Sequence, residues 1–175
     1  EPPDCTIPPV RGIAALRTGT GDSRTALVFD YGFAHRAHSH ADRLNINIFA
    51  HGRDYIPEMG YPEYMDHVAP ATGGWTTNTV SHATVQVDCH RQFPSALGDL
   101  HAFADLDGVT YIDASSGDAY AFRGVDLYRR ALVMVDISGG AYVTDIFRVR
   151  GGTRHDYHFH GPLTDVAVEG VMLPD

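Results

Sequence analysis

Polar and apolar residues alternate with a period of two along much of the chain. Asn45–Ala50 begins polar, apolar, polar, apolar, and residues 83–88 set Val85 and Val87 on one side with Thr84 and Gln86 on the other. This period places successive side chains on opposite faces of an extended strand, so both stretches are predicted as half-buried strands. Apolar runs at 13–17 and 25–31 flank Gly19-Thr20-Gly21-Asp22 and predict a first hairpin. Further strands are predicted at 100–105, 109–114, 119–122, 128–137 and 141–150, with Asp107-Gly108 and Gly139-Gly140 as turns between them. Only residues 40–44 and 62–66 fit a helical turn, and a long loop is predicted from about Tyr61 to Thr79. The expected fold is all-β, a two-layer, jelly-roll-like sandwich over residues 11–175. Residues 1–10 are Pro-rich and read as a linker or a truncated start.

Composition narrows the function classes. With 43% hydrophobic and 20% charged residues in 175, the chain has the means to build one core. The apolar stretch Ala131-Leu132-Val133-Met134-Val135 ends in Asp136, far short of the ~20 residues of a membrane-spanning helix. A net charge of -9 repels phosphate, which argues against general binding of nucleic acid or anionic lipid. The chain contains no lysine, so every fixed cation is the planar fork of an arginine, suited to carboxylate and sulfate. Cys5 and Cys89 lack metal-ligand spacing, and a disulfide between them is left open by the sequence. Glu1-Pro2-Pro3-Asp4 reads as an internal linker rather than a secretory leader, so the start is expected to be a cut.

Histidine is abundant, with eleven residues, and two clusters stand out. In the first, His38 and His40 point the same way on an extended segment and supply half of a metal site. Glu58 and His82 are the candidate further donors, and Asp42 could orient an imidazole. A run of exposed loop histidines is the competing reading. In the second cluster, Asp156, His158 and His160 would share one strand face, with His155, Tyr157 and Phe159 on the other. Such a face can line a polar cleft or serve structural hydrogen bonds. Tyr128 and Arg130 should share a face opposite Arg129, with ion pairs to Asp the simplest role for both arginines.

Residues 31–92 resemble the metal-bearing β-domain of the heparinase II/III-like polysaccharide lyases. The resemblance rests on His38-Ser39-His40-Ala41-Asp42 followed by Leu44, on Glu58-Met59-Gly60-Tyr61, on the run from Trp75 through His82 to Asp88, and on Gln92. Weaker similarity continues through Tyr128-Arg129-Arg130 and residues 143–152. The resemblance implies zinc held by His40, Glu58 and His82, with His38 facing the substrate. Two positions depart from the family pattern: Glu58 stands where Asp is usual, and Ala83 where Asn is preferred, which predicts a lost hydrogen bond.

The implied activity is β-elimination on a uronic-acid-containing polysaccharide of glycosaminoglycan or alginate type. Tyr61 and Tyr64 are candidate proton donors, and Arg130, His158 and His160 candidate substrate contacts. The family also implies a partner, an N-terminal α-helical toroid that this chain is too short to contain, and a secreted or periplasmic location where a polymer is met. Two rivals are a non-catalytic carbohydrate-binding module with structural zinc and a cupin-type metalloenzyme. Cupins place a Glu four or five residues after the second His, where this chain has Leu44 and Asn45.

Overall fold

The computed structural model describes residues 5–6, 12–32, 40–60 and 74–162. It is built from antiparallel strands with almost no helix, as the alternation predicts. Strands β1 (Ile13–Thr18), β2 (Thr25–Asp30), β3 (Asn45–Ala50) and β4 (Arg53–Ile56) form one sheet in chain order. A second sheet, also in chain order, holds β6 (Asp99–Leu106), β7 (Val109–Ser115), β8 (Leu127–Ile137) and β9 (Gly140–Arg150). Between them in sequence, β5 (Val85–Val87) pairs with β10 (His155–Tyr157).

Alternate residues of both large sheets point into one buried cluster. β1 and β2 contribute Leu16, Leu27 and Phe29, and β7 and β8 contribute Ile112, Ala114, Tyr128, Leu132 and Met134. Burial of these apolar faces against each other supplies the main driving force for a two-layer domain. The register also points Arg130 inward, between Tyr128 and Leu132 on the same face of β8. The sheets approach closely at Gly98, where an added Cβ would sit 1.4 Å from the carbonyl oxygen of Tyr31 and 3.1 Å from that of Ser115. Only glycine fits there.

Several local expectations are corrected. Residues 119–122 are not a strand but parts of two 3-10 turns, Gly117–Ala119 and Ala121–Arg123. Tyr120 is fully buried between them, its hydroxyl donating to the carbonyl of His90 (3.0 Å), and Gly124 ends the segment at φ 71°. Residues 40–44 form no helix. They make a bend and a tight turn closed by Asn45 N–H to the Asp42 carbonyl (3.0 Å), with Leu44 held at φ 61°. The strand expected at 83–88 shortens to β5, and both of its faces are buried, because Thr84 and Gln86 also find partners inside the protein.

Strand β4 has no counterpart in the sequence reading, since Arg53, Asp54 and Tyr55 are exposed and leave no alternation. The helical turn expected at 62–66 lies outside the described residues, as does most of the long loop. Residues 74–76 at its end make one helical turn. Cys5 and Cys89 are both free thiols. Within the first ten residues, Thr6 exchanges backbone hydrogen bonds with Ala15 at 2.9 Å each way and so adds to the edge of β1.

Candidate metal centre

Four side chains from three separate parts of the chain converge beside the first sheet. His40 and Asp42 come from the segment that enters β3, Glu58 follows β4, and His82 ends the 3-10 turn Thr79–Ser81. One potential ligand atom from each lies within 4.8 Å of all the others. The Nδ1 of His40 is 3.0 Å from Nε2 of His82 and 3.2 Å from Oε1 of Glu58, and that oxygen is 3.5 Å from Nε2 of His82. Donors at about 2.0–2.1 Å around one tetrahedral ion would be about 3.3–3.4 Å apart. These three separations bracket that value. The residues present therefore fit a divalent ion, and two imidazoles with one carboxylate form a donor set of borderline softness.

The surroundings prepare each donor. His82 is 3% exposed, and its Nδ1 lies 2.8 Å from the backbone carbonyl of Asn78. A carbonyl only accepts, so in the neutral ring the hydrogen sits on Nδ1 and the lone pair of Nε2 faces the cluster. Glu58 is steadied by Asn45 Nδ2 (3.4 Å) and by the N–H of Gly60 (3.2 Å), while Asn45 Oδ1 accepts from the N–H of Ala83 (2.9 Å). Ala83 thus lacks the preferred Asn side chain, yet Asn45 still ties its backbone to the carboxylate donor. The sequence showed Asn45 as a period-2 strand residue and as one of the positions that lack a cupin Glu, and gave no sign of this tie.

The charges are coupled. Burial acts to raise the Glu58 pKa, but hydrogen bonds from His40 and His82, with their charge, hold it well below the usual carboxylate range. Burial acts to lower His82, yet the Glu58 hydrogen bond and the charges of Asp42 and Glu58 raise it. A metal ion at this place must therefore displace a proton held more firmly than on a free imidazole.

Asp42 belongs to the group as its fourth donor and second carboxylate, beyond the orienting role expected from the sequence. Its Oδ2 is 4.0 Å from Nε2 of His82, and its Oδ1 accepts from Nη2 of buried Arg43 at 2.5 Å. Arg43 also donates to Asp30, to the carbonyl of Gly32 and to the carbonyl of His40. The side-chain amide of Gln92 meets both polar groups of the Arg43 backbone, accepting from its N–H (2.6 Å) and donating to its carbonyl (3.0 Å).

The other expected site residues divide. His38, Tyr61 and Tyr64 lie outside the described residues. His158 and His160 are brought to the segment that carries His82. His158 Nε2 is 3.2 Å from Gln86 Oε1, and His160 Nε2 is 2.7 Å from the Val80 carbonyl with its ring edge-on to Trp75. Burial, with the charge of His160, lowers the His158 pKa. Arg130 is a correction. It is fully buried, its guanidinium spent on Asp145, Tyr157 and two backbone carbonyls, so no polysaccharide can reach it. The two carboxylates of the group are Glu58, beyond β4, and Asp42, while the cupin positions four and five residues after His40 hold Leu44 and Asn45.

Comparison with known proteins adds to this geometry. The sequence profile of heparinase II/III-like C-terminal domains matches residues 8–171. The chain is 23% identical over 167 residues to an exo-oligoalginate lyase of Saccharophagus degradans, covering 85% of this chain and 23% of that protein. Its fold superimposes on a heparinase III with a TM-score of 0.81 and 17% identity, over 94% of this chain and 25% of the other. A mutant heparan sulfate lyase from Pedobacter heparinus gives a TM-score of 0.73 and 16% identity, over 86% of this chain and 23% of the other. The chain spans about a quarter of the length of these proteins.

Proposed function

The chain belongs to the family of heparinase II/III-like C-terminal domains, and from that premise we propose that it is the β-domain of a polysaccharide lyase acting on a uronic-acid-containing polymer. The observation that carries this reading is the close grouping of His40, Glu58 and His82 on a matched chain, at separations suited to one metal ion. Zinc suits two imidazoles and a carboxylate, with solvent or Asp42 as the remaining donor. When bound, it supplies positive charge and a cross-link between the segments around residues 40–45 and 78–83. Its role is architectural.

The reaction is β-elimination. A base removes the proton at C5 of the uronate, the C5–H electrons form the C4–C5 double bond, and the bond from C4 to the departing sugar oxygen breaks, that oxygen gaining a proton. The C5 proton becomes acidic only when the neighbouring carboxylate is neutralised. His38, two residues before His40, is assigned to that carboxylate or to proton transfer. Tyr61 and Tyr64, three and six residues after Glu58, are assigned as phenolic donors. His158 and His160, held against Gln86 and the Val80 carbonyl, are assigned as substrate contacts.

An α-helical toroid elsewhere in a longer enzyme would close the cleft and add an Asn or His and a Tyr. The substrate is of glycosaminoglycan or alginate type, met outside the cytoplasm or in the periplasm. The test is incubation of the whole enzyme carrying this domain with heparan sulfate and with alginate, followed by the ultraviolet absorbance of unsaturated uronate. A rise on either polymer supports elimination. Binding of either polymer without that rise marks a carbohydrate-binding module instead.

A further inference from the structure

We propose that Arg130 is a positioning residue for the metal centre, a buried clamp that sets the distance between the two segments carrying its histidines. The proposal rests on the reading of His40, Glu58 and His82 as metal ligands. Arg130 projects from the middle of β8 into the core and is 0% exposed. A charge so placed is costly unless every hydrogen finds an acceptor. All five do. Nε and Nη2 donate to the two oxygens of Asp145 at 3.0 and 2.6 Å, and Nη2 donates also to the Tyr157 hydroxyl at 2.5 Å. The two hydrogens of Nη1 go to the backbone carbonyls of Leu44 (2.5 Å) and Ala83 (2.7 Å). The guanidinium also lies 5.3 Å from the ring centre of Phe147 and 5.5 Å from that of Tyr157.

The choice of those two carbonyls is the telling point. Leu44 lies two residues after Asp42 and four after His40, and Ala83 directly follows His82. No strand ladder joins these segments, since β3 pairs with β2 and β4 while β5 pairs with β10. One nitrogen thus bridges two stretches of backbone that no strand ladder joins, beside the bonds from the Ala41 N–H to the Thr77 carbonyl (3.0 Å) and from the Ala83 N–H to Asn45 Oδ1 (2.9 Å), and Asp145 with Tyr157 fixes where that nitrogen stands. Leu44 is held in a left-handed conformation at φ 61°, which orients its carbonyl at some local cost. A lysine carries the same charge but not the fork, so it cannot span both carbonyls and the carboxylate together.

The test compares zinc affinity, by competition with a chromophoric chelator, and the visible spectrum of the cobalt-substituted protein. Arg130→Lys is expected to weaken zinc binding about 10-fold or more, the scale on which outer partners of metal ligands act, and to alter the cobalt bands. Tyr157→Phe removes one support of the clamp and keeps the ring, so a smaller loss in the same direction is expected. Arg129→Gln is the control. Arg129 sits next in sequence on the opposite face and makes an equally close pair with Asp113 (2.7 and 2.6 Å), with no hydrogen bond to either segment among the described contacts. It should lower stability without changing zinc affinity or the cobalt spectrum. Unchanged affinity and spectrum in Arg130→Lys overturn the clamp, and if that protein does not fold, unchanged values in Tyr157→Phe do so. Wild-type protein that binds neither ion overturns the metal reading on which the clamp rests.

Discussion

Gln92 offers a sharp test of how the candidate site is held. Its amide completes both hydrogen bonds of the Arg43 peptide unit, at 2.6 Å and 3.0 Å, and donates at 2.9 Å to the Tyr128 hydroxyl. A side chain thus substitutes for a neighbouring strand at the point where the chain turns into β3. In Gln92→Leu the Arg43 carbonyl keeps Thr84 Oγ1 as donor at 2.9 Å, and the Tyr128 hydroxyl keeps its own donation to the Val85 carbonyl. The Arg43 N–H has no such second partner among the described contacts. An orphaned buried donor costs about 1–3 kcal/mol, and each of the other two lost bonds about 1 kcal/mol. Burying the apolar Leu side chain returns about 1–2 kcal/mol, which leaves a net loss of about 2 kcal/mol. For a chain of this size that lowers Tm by about 4–8 °C. Because Arg43 lies between Asp42 and Leu44, zinc affinity should fall as well. Thermal unfolding followed by circular dichroism, with and without chelator, measures both effects. A Tm within about 1 °C of wild type would refute the claim that Gln92 acts as a strand substitute.

Stripping bound metal with a chelator should lower Tm. An ion present at a hundred times its Kd stabilises by about 2.7 kcal/mol, hence about 5–10 °C here, and His82→Ala should abolish the chelator effect; a chelator shift that survives in His82→Ala counts against the assigned ligand set. In the whole enzyme, His38→Ala should cost on the order of 100-fold in turnover with zinc content intact, whereas His40→Ala should damage both; loss of zinc from His38→Ala would make His38 a ligand. Asp30 supplies a pH test in chelator-treated protein. Burial, then the charges of Asp42 and Glu58, raise its pKa from 3.8 to about 7 despite the opposing Arg43. An acid whose folded pKa is raised gives stability that is present below its unfolded pKa and lost as pH rises through the folded one. Wild-type Tm should therefore fall relative to Asp30→Asn between about pH 4 and pH 7, and a difference that stays constant over that range would disprove the assignment.

Much of the architecture was legible in the one-dimensional pattern. Period-2 alternation and Gly-bearing turns located every strand of the two large sheets except β4, and the same alternation placed Tyr128 and Arg130 on one face with Arg129 on the other. The residues offered His38 and His40, with Glu58 and His82 as further candidate donors, and it was the resemblance of the flanking motifs to a known family that singled out His40, Glu58 and His82. Other features left no local trace. Residues 119–122 carry strand-like composition, yet Tyr120 is drawn into the core between two 3-10 turns, since burial of a large ring outweighs a weak local preference. Thr84 and Gln86 look like a solvent face and are buried, because partners far along the chain satisfy their polar atoms.

Arg130 shows the division most plainly. The sequence by itself determined its face, for side-chain direction on a strand follows from backbone pleat and needs no neighbour. It did not determine that this face is the core, that Asp145, Tyr157, Leu44 and Ala83 surround the guanidinium, or that substrate cannot reach it. The same holds for Asp42, Asn45 and Gln92, whose types are ordinary and whose roles depend on what lies across from them. Hydrogen bonds and ligand distances act over about 3 Å, and which atoms come within that range of each other is decided only when the two sheets close on one core.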